Sequence, residues 1–286
     1  MTFTVTAASG HLGRLAVQAL LDQGVPANQI VATARTPEKL SDLAAQGVQV
    51  READYSKPET LASAFAGAEK LLLISGSEVG QRVPQHTNAV KAAVEAGVKL
   101  IAYTSAPYAD TTDLPVAPEH KATEEIIRAS GVPFVFLRNG WYFENYTENL
   151  ASALQYGALL GSAGDGRISA ATRADFAAAA AAVLTGDGHE NAVYELGGDE
   201  PFTMAELAAE VTRQSGTEVA YRDLPADEYE KALVAAGVPD VYANVLAACD
   251  VEVRKGALFI GSGDLSRLIG RPTTPLADAV ATAVKN

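Results

Sequence analysis

The residues from Phe3 to Arg35 have the types and spacing needed to hold a dinucleotide pyrophosphate. An apolar run, Phe3 to Thr6, leads into the turn Ala7-Ala8-Ser9-Gly10-His11-Leu12-Gly13, a helical stretch to Gln23 and a second apolar run, Ile30 to Ala34. Such a turn lets backbone N–H groups reach phosphate oxygens, and the helix after it directs its positive end at them. The spacing is that of G-x-x-G-x-x-G, with Ala7 in the first place and Gly10 and Gly13 in the others. Alanine fits the first place if its φ is negative, with a methyl left near the phosphates. Arg35 ends the second run, where an NAD site would carry an acid for the ribose hydroxyls. A carboxylate repels a 2′-phosphate, whereas a guanidinium holds it with charge-assisted hydrogen bonds of roughly 1.5–3 kcal/mol each. The pattern therefore predicts NADPH as cofactor, with Lys39 as added charge. The competing reading is an ordinary turn followed by a solvated arginine.

Ligands of open α/β sheets lie outside the carboxyl ends of the strands, so other strand ends should line the same site. These are Thr6 and Ser9 at the turn, Ile74-Ser75-Gly76-Ser77 after the fourth apolar run, and Thr104 ending the fifth. Small hydroxyl residues permit close approach to the ribose and nicotinamide, although ordinary loops use them too. Asp54-Tyr55 faces the adenine or serves the helix start at Ser56-Lys57-Pro58-Glu59, which reads as a capping box. The histidines (His11, His86, His120, His189) show no ligand spacing, and no metal is expected.

The elements that must position these residues are six apolar runs separated by helical patterns: Phe3 to Thr6, Ile30 to Ala34, Val48 to Arg51, Leu71 to Ser75, Leu100 to Thr104 and Phe134 to Leu137. Nearly continuous apolar strands are buried on both faces, and right-handed crossovers make them a parallel sheet. The predicted fold is α/β, a Rossmann doubly wound parallel sheet with a smaller, mostly helical C-terminal domain. Residues 1–140 form the NADP-binding domain, to which 167–196 return; 141–166 and 197–286 form a smaller substrate-covering domain, with substrate entering between the two. Gly97 and Gly131 stand at helix C-caps, and helices are expected over 203–214, 227–236 and 275–284, with a strand near Val219 to Arg222.

A net charge of −13 disfavours nucleic acid and anionic lipid. The longest apolar block, Phe176 to Leu184, is about half a membrane span, so no membrane insertion is expected. The single cysteine, Cys249, and an N-terminus without a basic leader indicate a cytoplasmic protein.

For the chemistry, none of the ten tyrosines has a lysine four residues on, so the proton relay of short-chain dehydrogenases is absent. A ketone needs such an acid, but a quinone accepts hydride as a delocalised, weakly basic oxyanion. The segments Leu71 to Arg82, Leu137-Arg138-Asn139-Gly140-Trp141-Tyr142, Glu144-Asn145-Tyr146 and Ala163-Gly164-Asp165-Gly166 resemble the type 2 NAD(P)H:quinone oxidoreductases. These are NmrA-like, atypical short-chain dehydrogenases; triphenylmethane dye reductases are similar. The likeness runs from residue 1 to about 284 and includes Gly270-Arg271-Pro272-Thr273-Thr274. It implies NADPH, direct hydride transfer to a planar quinone, and no flavin. By position it assigns Gly10, His11, Leu12, Arg35, Ser75 to Ser77 and Asn139 to the cofactor. Ala7 departs from the family's glycine. Tyr142 could stack on a quinone and Asn145 could hydrogen-bond its oxygen, or the cluster Trp141, Tyr142, Phe143 and Tyr146 could be core. Lys121 could serve as an acid or as a solvated helix lysine. Two alternatives to quinone reduction stay open: an NADP(H) sensor without turnover, and a reductase of a conjugated, dye-like acceptor.

Overall fold

The computed structural model describes residues 1–285. In chain order the elements are β1 (Phe3–Val5), α1 (His11–Asp22), β2 (Ile30–Ala34), α2 (Ser41–Ala45), β3 (Gln49–Glu52), α3 (Pro58–Ala64), β4 (Lys70–Leu73), α4 (Arg82–Glu95), β5 (Leu100–Ser105), α5 (Ala117–Ala129), β6 (Phe134–Asn139), β7 (Trp141–Tyr142), α6 (Glu144–Thr147) and α7 (Leu150–Tyr156). They continue with β8 (Ala158–Gly161), β9 (Ala170–Ala171), α8 (Arg173–Thr185), β10 (Ala192–Leu196), α9 (Met204–Ser215), β11 (Ala220–Asp223), α10 (Ala226–Ala235), α11 (Asp240–Arg254), α12 (Asp264–Ile269) and α13 (Leu276–Val284). Two compact units result: Met1–Ala109 with Pro118–Asn139 and Arg173–Tyr194, and Asp110–Ala117 with Gly140–Thr172 and Glu195–Asn286.

The first unit is built on a seven-stranded sheet of order β10-β6-β5-β4-β1-β2-β3, in which β1 to β6 pair in parallel. This is the doubly wound Rossmann fold, and its strand order reverses between β1 and β4. Alternate residues of the central strands (Leu71 and Leu73, Ile101 and Tyr103, Phe136) pack with Leu61, Phe65, Val90, Ala93 and Ile127 of the α3–α5 side. On the other face α1 packs along α8, whose alanines are small enough to let the helices approach closely. A helix apolar all round has to be buried, and Phe176 to Leu184 is core rather than membrane span. Among the described residues no helix is long and apolar enough to cross a membrane. The edge strand β10 is an addition to the six strands read from sequence. The cap at Ser56 is corrected too: Lys57 is the N-cap of α3 without a side-chain bond, and Asp54 Oδ1 accepts from Ser56 N–H instead. A true capping box sits at Thr203 and Glu206, opening α9. Gly97 and Gly131, with φ of 73° and 76°, follow α4 and α5 as expected.

The second unit has its own core, including Leu150, Ile168, Leu207, Val211, Val253 and Leu258. Phe143 stacks on Phe202 at 5.4 Å and Tyr146 meets it edge-on at 6.2 Å, so both belong to this core. The strand expected near 219–222 is β11, paired in parallel with β8, which the glycine-rich sequence around it had hidden. The turn after β8 is tied down by polar groups. Asp250 Oδ2 accepts from Ser162 N–H at 2.8 Å, Tyr221 Oη accepts from Ala163 N–H, and Asp223, paired with Arg254, accepts from Gly164 N–H.

Burial raises the Asp250 carboxyl to about pH 6, with the Asp223 charge adding to the rise. A carboxyl with its folded pKa raised destabilises the fold as pH climbs from the unfolded value near 4 through 6, because the folded form gives up its proton late. Asp250→Asn should therefore gain roughly 2–3 kcal/mol relative to the parent between pH 4 and pH 7. Denaturant unfolding of both proteins at several pH values would measure this; a difference independent of pH would contradict it.

Candidate cofactor site

The turn after β1 differs from expectation at its first residue: Ala7 has φ of +48°, a left-handed conformation. Its carbonyl accepts from Gly10 N–H at 3.0 Å, while Ala8 N–H donates to Thr33 of β2 at 2.8 Å. The strand thus turns into α1 within a few residues, and the conformation costs alanine about 1 kcal/mol that glycine would avoid. Gly13 is the point of closest approach. A Cβ there would lie 2.5 Å from the Ala7 carbonyl oxygen and 2.8 Å from the Ala8 Cα. No side chain caps α1 and no acid occupies its first turn. Ser9, Gly10 and His11 are exposed, with Leu12 half-buried. A helix N-terminus that is uncapped, free of acids and open to solvent suits a pyrophosphate.

Arg35 follows β2 with its side chain 69% exposed, and its Nη1 donates to Glu78 Oε1 at 2.9 Å. Glu78 lies on the loop after β4, so the pair joins the two strands flanking β1.

That loop is held at its backbone. Ser75 N–H donates to Thr104 Oγ1 at 2.9 Å, binding it to the end of β5. Gly76 N–H donates to His86 Nε2 at 3.0 Å, and Gly76 C=O accepts from Arg82 Nε at the same distance. Thr123 Oγ1 donates to the Glu119 carbonyl, so the 3.0 Å contact with His86 Nδ1 requires the imidazole to carry its proton there. Nε2 is then a lone pair, as the Gly76 bond needs. Burial, helped by the Arg82 charge, lowers the His86 pKa to about 3, and the ring stays neutral. Arg82 is paired in turn with Glu119 at 2.9 Å. Thr6 Oγ1 accepts from Ile74 N–H at 2.9 Å and lies 2.6 Å from Tyr55 Oη, which places Tyr55 under the loop. Asn139 is buried at the end of β6. Arg138 beside it forms a buried ion pair with Glu124 at 2.8 Å, and Glu124 also accepts from Ser105.

The expected cofactor residues Thr6, Ala7, Ser9, Gly10, His11, Leu12, Arg35, Ile74 to Ser77, Thr104 and Asn139 thus fall in one unit, at the carboxyl ends of β1, β2, β4, β5 and β6. Tyr142, half-buried on β7, and Asn145, half-buried on α6, belong to the other. Lys121 is exposed on α5. The bonding roles of His86, Arg82, Glu78 and Glu124 are not visible in the sequence. An arginine inside the apolar strand Phe134-Val135-Phe136-Leu137-Arg138 was the available sign that a buried acid must face it.

Two glycine-scale changes test the turn. Ala7→Gly should raise the unfolding free energy by up to about 1 kcal/mol, since it removes left-handed strain. Gly13→Ala should cost about 1–3 kcal/mol through overpacking against backbone and should weaken dinucleotide binding in parallel. Chemical denaturation reads the first effect, and titration with NADPH the second.

The fold agrees with the comparisons. Residues 7–187 match the model of the NAD(P)H-binding family. Quinone oxidoreductase 2 of Escherichia coli is 52% identical over 97% of this chain and 96% of its own length. The crystal structure of an NADPH-dependent quinone oxidoreductase from Escherichia coli in complex with NADPH superimposes with a TM-score of 0.95 over 98% of this chain and 99% of that one, at 52% identity. The triphenylmethane reductase of Citrobacter sp., solved with NADP(H), gives 0.94 over 99% and 100% of the two chains at 44% identity. The chain belongs to the NAD(P)H-binding family and, within it, to the NmrA-like quinone oxidoreductases.

Proposed function

We propose that the protein is an NADPH-dependent oxidoreductase that reduces quinones without flavin or metal. The observation that carries this is the pairing of an uncapped α1 N-terminus with an exposed guanidinium one strand away. The first is suited to a pyrophosphate and the second to a 2′-phosphate. The 52% identity to the Escherichia coli enzyme, along nearly the whole chain, supports the quinone as acceptor.

NADPH, when bound, supplies a hydride that with one proton converts a quinone to its hydroquinone. This chain's residues bind and orient. The N–H groups of the first α1 turn, from His11 on, would hold phosphate oxygens, Arg35 would hold the 2′-phosphate, and the Ser75–Ser77 loop with Thr104 and Asn139 would position ribose and nicotinamide. His86 and Arg82 fix the Gly76 peptide on both sides and so set where that loop stands. Tyr142 offers a flat face to a planar acceptor and Asn145 a hydrogen bond to its oxygen. Lys121, being exposed, is assigned to solvent. A proton relay is unnecessary because the reduced quinone is a weak base that water can protonate. A cytoplasmic setting belongs to this reading, and the buried free thiol of Cys249 suits it.

A conjugated dye is the second acceptor worth assaying, given the likeness to the Citrobacter reductase. Purified protein without added flavin or metal should oxidise NADPH steadily when given a simple benzoquinone. Absence of turnover with any quinone or triphenylmethane dye would end the proposal. Arg35→Asp should raise the KM for NADPH ten- to a hundredfold or more while leaving that for NADH within a few-fold. Equal effects on both would remove Arg35 from phosphate recognition.

A further inference from the structure

Glu78 reaches across the strand-end rim and spends both carboxylate oxygens there. Oε1 accepts from Arg35 Nη1 at 2.9 Å and Oε2 accepts from Gln85 Nε2 at 2.7 Å. Gln85 is itself buried, and its Nε2 lies 3.2 Å from Ser56 Oγ. A loop glutamate paired only with an exposed arginine would be free to swing away; this one is backed by a buried amide. The pair bridges the loop after β4 and the residue after β2, on either side of β1, where the strand order reverses and a Rossmann sheet takes its dinucleotide.

We infer that Glu78 is a specificity-determining residue that competes with the cofactor's 2′-phosphate for Arg35. The inference rests on the reading of Arg35 as the phosphate residue and adds a counterweight to it. In the free protein the carboxylate neutralises the guanidinium and holds it extended over the rim. An arriving 2′-phosphate competes with Glu78 for the guanidinium, whose Nη1 the carboxylate already holds, and the carboxylate remains nearby as a like charge. A 2′-hydroxyl brings no such repulsion and can itself donate to the carboxylate. The pair therefore lowers NADPH affinity below what Arg35 alone would give and raises NADH affinity, holding discrimination to a moderate ratio.

The adenosine fragments 2′,5′-ADP and 5′-AMP isolate this effect from turnover. Calorimetric titration of the Glu78→Gln protein should show 2′,5′-ADP binding about tenfold tighter than to the parent, with 5′-AMP weaker by about two- to threefold. The gain should shrink as salt rises, because both groups are exposed. In the Arg35→Gln background the gain from Glu78→Gln should shrink to the part owed to like-charge repulsion, no more than about two- to threefold, since the competition then has no object. Equal or weaker 2′,5′-ADP binding by Glu78→Gln, in a protein whose melting temperature matches the parent, would overturn the inference while leaving Arg35 as phosphate residue. If Arg35→Gln by itself fails to weaken 2′,5′-ADP, the underlying reading of Arg35 falls instead. Glu78→Asp, which keeps the charge but shortens its reach, should fall between parent and Gln.

Discussion

The close approach of α1 to the end of β1 is the constraint on which the site depends. It exists because position 13 has no Cβ and because residue 7 bends the chain into a left-handed conformation. Move either, and the helix retreats from the strand, taking its unpaired N–H groups out of reach of a ligand at the sheet edge. Ala7 shows that this geometry does not require glycine at the first position. The turn tolerates a methyl at about 1 kcal/mol.

The second fixed point is the Gly76 peptide. Its N–H and C=O are both bonded to side chains of α4, and those side chains are bonded to α5 through Glu119 and Thr123. A loop of small residues would otherwise be free to vary; here the Ser75 N–H and both polar groups of the Gly76 peptide are bonded to side chains. The buried neutral imidazole is an economical anchor. It supplies one donor and one acceptor, and its depressed pKa keeps the tautomer unchanged across the pH range in which an ordinary histidine would titrate.

What the sequence disclosed follows from how local each determinant is. Strand–turn–helix order, the position of Arg35 and the helix ends at Gly97 and Gly131 are written in contiguous residues, so they could be read directly. The edge strand β10 and strand β8 are short and lack β-branched runs, and pairing rather than propensity defines them. The helix start at Ser56 has the letters of a capping box, but Asp54 captures the Ser56 N–H first. The partners of Gly76, Arg35 and Arg138 escaped because each is a side chain brought in from elsewhere in the chain. Phe143 and Tyr146 stand in an aromatic cluster whose residue types suit either substrate stacking or core, and the contacts with Phe202 make these two core.

Electrostatics gives these short-range contacts their weight. A chain of net charge −13 repels a polyanionic dinucleotide at long range. At physiological ionic strength that repulsion is screened beyond about 8 Å, so binding is decided by groups within contact distance. Backbone N–H dipoles at a helix end add attraction without adding a mobile side-chain charge. A guanidinium adds it with a direction that matches a phosphate. An acid beside that guanidinium, as Glu78 is proposed to be, would subtract part of the gain, and more so for the cofactor with the extra phosphate. On the proposed reading, the preference between two nearly identical dinucleotides is set by the difference between one cation and one anion, while the affinity common to both comes from the backbone.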